Sequence, residues 1–66
     1  MKLLEVLEEQ GRKQTWLAEK LGVTPGTVNN WCKGRTVPND EMKIRISILL
    51  EVGVEKLFYQ EMISSW

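Results

Sequence analysis

The stretch Gln14-Thr15-Trp16-Leu17-Ala18-Glu19-Lys20-Leu21-Gly22-Val23-Thr24-Pro25-Gly26-Thr27-Val28-Asn29-Asn30-Trp31-Cys32-Lys33-Gly34 decides how this chain folds. Leu17 and Leu21, four apart with Ala18 beside them, make the apolar stripe of a helix over about residues 14–21. Gly22 ends it, because glycine takes the left-handed backbone that a tight interhelical turn needs. Its start is poorly capped, since Lys13 is not an N-cap residue. The next helix starts clearly: Thr24 is suited to the N-cap and Pro25 to the first helical position, where a missing N–H costs nothing. Val28 and Trp31 share one face of it, Asn29, Asn30 and Lys33 point elsewhere, and Gly34 closes it. Ala18 must be small because the second helix crosses over it. Leu17, Leu21, Val23, Val28 and Trp31 then lock the two helices at a steep angle that leaves the second protruding.

The flanks read as three more helices. Leu3, Leu4 and Leu7 recur at helical spacing opposite Glu5, Glu8 and Glu9, which predicts a helix to about Gln10 stopped by Gly11. After the loop Arg35-Thr36-Val37-Pro38, Asn39 is placed to cap a helix with Asp40 and Glu41 in its first turn. Met42 to Ile48 alternates apolar and polar, a strand signature. Met42, Ile46, Leu49, Leu50 and Gly53 are also helically spaced, and the cap favours a helix over about residues 40–50. Val54, Leu57, Phe58, Met62 and Trp66 make the stripe of a fifth helix over about residues 54–64.

Sixty-six residues with 42% apolar content make a single domain, with no run of 18 apolar residues to span a membrane. Acids near the amino terminus stand where a signal peptide carries its apolar stretch, and the expected location is the cytoplasm. One cysteine excludes an internal disulfide, and zero histidines leave neither a zinc quartet nor histidine acid–base catalysis. No nucleophile–base pair is apparent, and Gly22–Thr27 lacks the ending of a phosphate loop. An enzyme is not expected, nor a cofactor or small-molecule ligand. The net charge is zero, but residues 1–11 carry −2, residues 12–45 carry +4 and residues 46–66 carry −2. The basic middle is a patch on a chain with acidic ends.

The pattern Gln14-x-x-Leu17-Ala18-x-x-Leu21-Gly22-Val23-Thr24-x-x-Thr27-Val28-x-x-Trp31-x-x-Gly34-x-x-x-Pro38 resembles the helix-turn-helix of phage Cro/repressor-like (XRE) proteins. Ile46, Leu50, Val52, Val54 and Leu57 fall where that family places the core of its last two helices, so the likeness covers about residues 3–58. It implies an all-α, compact five-helix bundle of the lambda repressor-like type, a helix-turn-helix over about residues 14–33, and sequence-specific binding of double-stranded DNA. It also favours helix over strand for residues 40–50.

The resemblance assigns roles residue by residue. Asn29 and Asn30 lie on the outer face of the recognition helix, and asparagine can bond adenine bidentately in the major groove; the plainer reading is tolerated surface residues. Thr27 either touches a thymine methyl or phosphate, or serves its own first helical turn. Lys33 meets a phosphate or guanine, or is a solvated lysine favoured by the helix dipole. Gln14 stands where the family has a phosphate-contacting glutamine, and Arg35 where a basic residue often binds phosphate; Arg12 and Lys13 would extend that contact. The alternative for the three cations is simple solvation. Trp31 belongs to the core, whereas Trp16 is left open between packing at the edge and lying near the DNA backbone.

Two positions depart from the family. Gly26 stands where many relatives present a long polar side chain, so base contacts are few and DNA shape carries part of the specificity. Cys32 replaces a residue that is often acidic, so an ion pair is lost; a half-buried small hydrophobe is the expected role of this cysteine. The implied mechanism is a regulator, chiefly a repressor acting by occupancy, bound as a homodimer to a palindromic operator with half-sites about 34 Å apart. Met62 and Trp66 are the candidate dimer surface. The rival reading is a protein-interaction module that uses the same bundle and docks through the Phe58–Trp66 stripe.

Overall fold

The computed structural model describes residues 1–58 as five helices: α1 (Leu3–Gln10), α2 (Gln14–Leu21), α3 (Pro25–Cys32), α4 (Asp40–Leu50) and α5 (Val54–Phe58). The expected continuation of the last helix to residue 64, and the candidate dimer residues Met62 and Trp66, lie outside the described residues. No strand occurs among the described residues, and residues 40–50 are helical. Asn39 decides that start, its Oδ1 accepting the Met42 N–H at 2.9 Å. With the segment helical, Ile46 and Leu50 turn inward and are fully buried, while Ile44 and Ile48 turn outward.

Every helix supplies the one core. Leu3, Val6 and Leu7 come from α1, Leu17, Ala18 and Leu21 from α2, Val28 and Trp31 from α3, and Leu57 from α5. The face of α1 is therefore Leu3–Val6–Leu7, not Leu3–Leu4–Leu7. Leu4 lies one residue, about 100°, from Leu3 and is 39% exposed. Val52 and Val54, expected in the core, are half-buried; Val52, Val23, Trp16 and Phe58 pack against its margin. The pair α2–α3 forms the most extensive interface, and Ala18 is 1% exposed within it. The ends of the bundle are tied by Lys2, whose N–H donates to the Leu57 carbonyl at 2.8 Å.

Four helices end in the same way. A residue in the left-handed region turns its N–H back three positions, and the next residue's N–H reaches back five, satisfying two orphan carbonyls. At α1 these bonds are Gly11 to Glu8 (3.1 Å) and Arg12 to Leu7 (2.8 Å). At α2 they are Gly22 to Glu19 (3.3 Å) and Val23 to Ala18 (3.0 Å), and at α3 Gly34 to Trp31 (3.1 Å) and Arg35 to Asn30 (2.9 Å). At α4 the left-handed residue is Glu51, with φ 56°. The helix thus ends at Leu50, where its sequence predicts. Ser47 supports this turn, its hydroxyl donating to the Val52 carbonyl at 2.7 Å.

Candidate nucleic-acid interface

The orientation of α3 follows from two residues. Val28 (0% exposed) and Trp31 (5%) are sunk in the core, which directs the opposite side of the helix outward. Gly26, Asn29, Asn30 and Lys33 follow at i, i+3, i+4 and i+7, so they share that outward side. Gly26 and Lys33 are exposed; Asn29 and Asn30 are half-buried. Gly26 has no packing reason to be glycine: its φ is not positive, and a Cβ there would meet only the Thr24 hydroxyl, at 3.9 Å.

The first turn of α3 is held by two threonines. Thr24 Oγ1 accepts the Thr27 N–H at 3.2 Å, and the two hydroxyl oxygens lie 2.8 Å apart. The Thr27 hydroxyl therefore serves its own helical turn, as one of its two expected roles had it.

The expected cations lie in two segments of the chain. Arg35 follows Gly34 directly, its backbone fixed by the bond to Asn30, and its side chain is exposed. At the start of α2 the chain places Arg12, Lys13 and Gln14 in succession, the first two exposed and Gln14 half-buried. Lys13 occupies the N-cap in extended conformation without a side-chain cap bond, as its sequence predicts. The expected site residues thus form two groups, Thr27, Asn29, Asn30, Lys33 and Arg35 on and after α3, and Arg12, Lys13 and Gln14 before and at the start of α2. The two helices that carry them pack on each other.

One pairing was not legible from spacing. The Arg12 guanidinium lies over the Trp16 ring, 4.3 Å from its centroid, so Trp16 packs at the edge of the core and supports one of the cations expected at the phosphates. An Arg–Trp separation of four is a signal on a helix, but Arg12 precedes α2 and the period does not apply there. Cys32, on α3, is half-buried. Burial, and to a smaller degree the Glu8 carboxylate, push its thiol above its ordinary value of 9.0. It is a protonated, weakly reactive side chain.

A two-helix unit with a tight glycine turn, whose second helix is exposed on its polar side and flanked by cations, defines a helix-turn-helix of the DNA-binding class. The helix-turn-helix family model matches residues 3–57. The chain belongs to the Cro/repressor-like (XRE) helix-turn-helix family, and its five-helix bundle is of the lambda repressor-like type. That family is one of DNA-binding regulators, not typically of enzymes. No curated protein and no solved structure matches the chain. No helix among the described residues is long and apolar enough to cross a membrane.

Proposed function

We propose that this chain is a single DNA-binding domain and a transcriptional regulator that reads a specific operator with α3 in the major groove, without catalysis of its own. The observation that carries this is the outward side of α3, where Asn29, Asn30 and Lys33 are presented with Arg35 close behind. Asn29 and Asn30 address adenine edges, each good bidentate pair discriminating by about 1–3 kcal/mol. Lys33 and the Thr27 methyl complete the base-reading set. Arg12, Lys13, Gln14 and Arg35 hold the phosphates, which fixes register and carries no sequence information. So small a reading set calls for two copies on a palindromic operator, and occupancy of that site is the regulatory act.

A second reading is favoured by a different observation. Ile44 and Ile48, one turn apart on the outside of α4, are 55% and 70% exposed. Such a pair suits a protein contact, either between two copies or in an interaction module without DNA affinity. The two readings separate in one titration of duplex DNA between 50 and 200 mM salt, with the complex sized at each step. The DNA reading expects a complex of two chains per duplex and an affinity that falls steeply with salt, by about a thousandfold for six or more phosphate contacts. Absence of binding at 50 mM salt overturns it in favour of the protein-interaction module.

A further inference from the structure

Trp16 and Arg12 form a unit that the pattern of helix faces does not explain. The indole packs against the core margin on one side, so its ring has a fixed place. Arg12 is fixed at the other end, because its own N–H is bonded to the Leu7 carbonyl at 2.8 Å. Between these anchors the guanidinium lies across the ring at 4.3 Å, and no carboxylate among the described residues pairs with it. Stacking uses the face of a guanidinium and leaves its N–H edge free to donate, which matches a phosphate oxygen pair. Both residues line one open groove with Gly11, Lys13, Thr15 and Glu19. Lys13 adds positive charge there, and Glu19 adds a negative one. The uncapped start of α2 adjoins the same groove, its first amides having no side-chain acceptor from Lys13.

We propose that Trp16 is a positioning residue for DNA binding: its ring holds Arg12 pre-oriented as a clamp on a single backbone phosphate beside the start of α2. This rests on the DNA-binding reading above. The ring's contribution is conformational, sparing an arginine the ordering that a free side chain undergoes on binding. It strengthens binding to every duplex alike and leaves the base preference to α3.

A double-variant cycle on duplex affinity at fixed salt tests it, with thermal melts of each variant alongside. Trp16→Leu is expected to weaken binding about two- to fivefold, the scale of one exposed cation–π contact, with the preferred sequence unchanged. Trp16→Phe, which keeps a ring, recovers most of that loss. In an Arg12→Ala background, Trp16→Leu adds nothing further. Arg12→Lys keeps the charge and the salt slope yet loses a similar factor, and it does so without touching the core margin, so it decides the matter if Trp16→Leu fails to fold. Arg12→Lys binding as tightly as the natural protein overturns the proposal. So does a Trp16→Leu loss that persists undiminished without Arg12. Failure of the natural protein to bind any duplex at 50 mM salt is a separate result, which removes the DNA reading itself and this inference with it.

Discussion

The side-chain amide of Gln10, the last residue of α1, donates to the backbone carbonyl of Leu50, the last residue of α4, at 2.8 Å. Leu50 is one of the four residues at that helix end whose carbonyls have no partner within the helix, so the bond joins two helix ends forty positions apart. Gln10→Ala is expected to lower stability by about 1 kcal/mol, the net worth of a typical neutral bond that leaves an acceptor behind. A urea melt should show a lower midpoint with an unchanged slope. An unshifted midpoint would mean that water satisfies the Leu50 carbonyl equally well.

Glu51 closes α4 in the left-handed region, a conformation that costs a residue with a Cβ about 1 kcal/mol. Glu51→Gly should therefore raise stability by about that amount, while Gly22→Ala, at φ 74°, should lower it by a similar amount. At Gly22 an added Cβ meets nothing within 4 Å, so the penalty is conformational and not a clash. Thermal melts of the two variants should move in opposite directions.

Gly26 lies within the first turn of α3 in ordinary helical backbone. Gly26→Ala should stabilise the free protein by about 0.5–1 kcal/mol, because the unfolded chain loses freedom and nothing folded is disturbed. If α3 approaches the DNA through this turn, the same variant weakens binding. Higher melting temperature together with lower duplex affinity is the expected pair of results, read by calorimetry and by titration.

The thiol of Cys32 is held above 9.0 by burial and, to a smaller degree, by Glu8. The folded protein thus keeps that proton more tightly than the unfolded chain does. Below pH 9 this difference contributes nothing to the slope of stability with pH; above it, unfolding releases the proton and stability falls as pH rises. Cys32→Ala should flatten this part of the profile, measured by denaturant melts from pH 8 upward. Alkylation at pH 7 should likewise be slower in the folded protein than in the unfolded chain.

The parts of the fold that were legible in sequence are those where one residue type is nearly obligatory. Gly11, Gly22 and Gly34 mark left-handed helix ends, and Thr24 and Asn39 mark N-caps, because few other residues suit those backbones. Asn29 and Asn30 were legible for a related reason: once Val28 and Trp31 are inward, the helical period leaves them outward. Elsewhere tertiary structure chose. Adjacent Leu3 and Leu4 offer α1 two faces, and only packing on α3 and α5 selects the one with Val6. Glu51 carries no sign of its left-handed backbone, since α4 ends where its core residues end. The Gln10–Leu50 bond and the Arg12–Trp16 stack join segments whose relative placement no local pattern specifies.

In the proposed function the outward side of α3 reads base sequence. Selection from a randomised duplex pool, run in parallel with the natural protein and with the Asn29→Ala/Asn30→Ala double variant, tests it most directly. The expected result is an enriched palindrome for the natural protein, with half-sites about one helical turn apart, and no preference for it by the folded double variant. The same palindrome enriched equally by both proteins, or no enrichment by either, would contradict it.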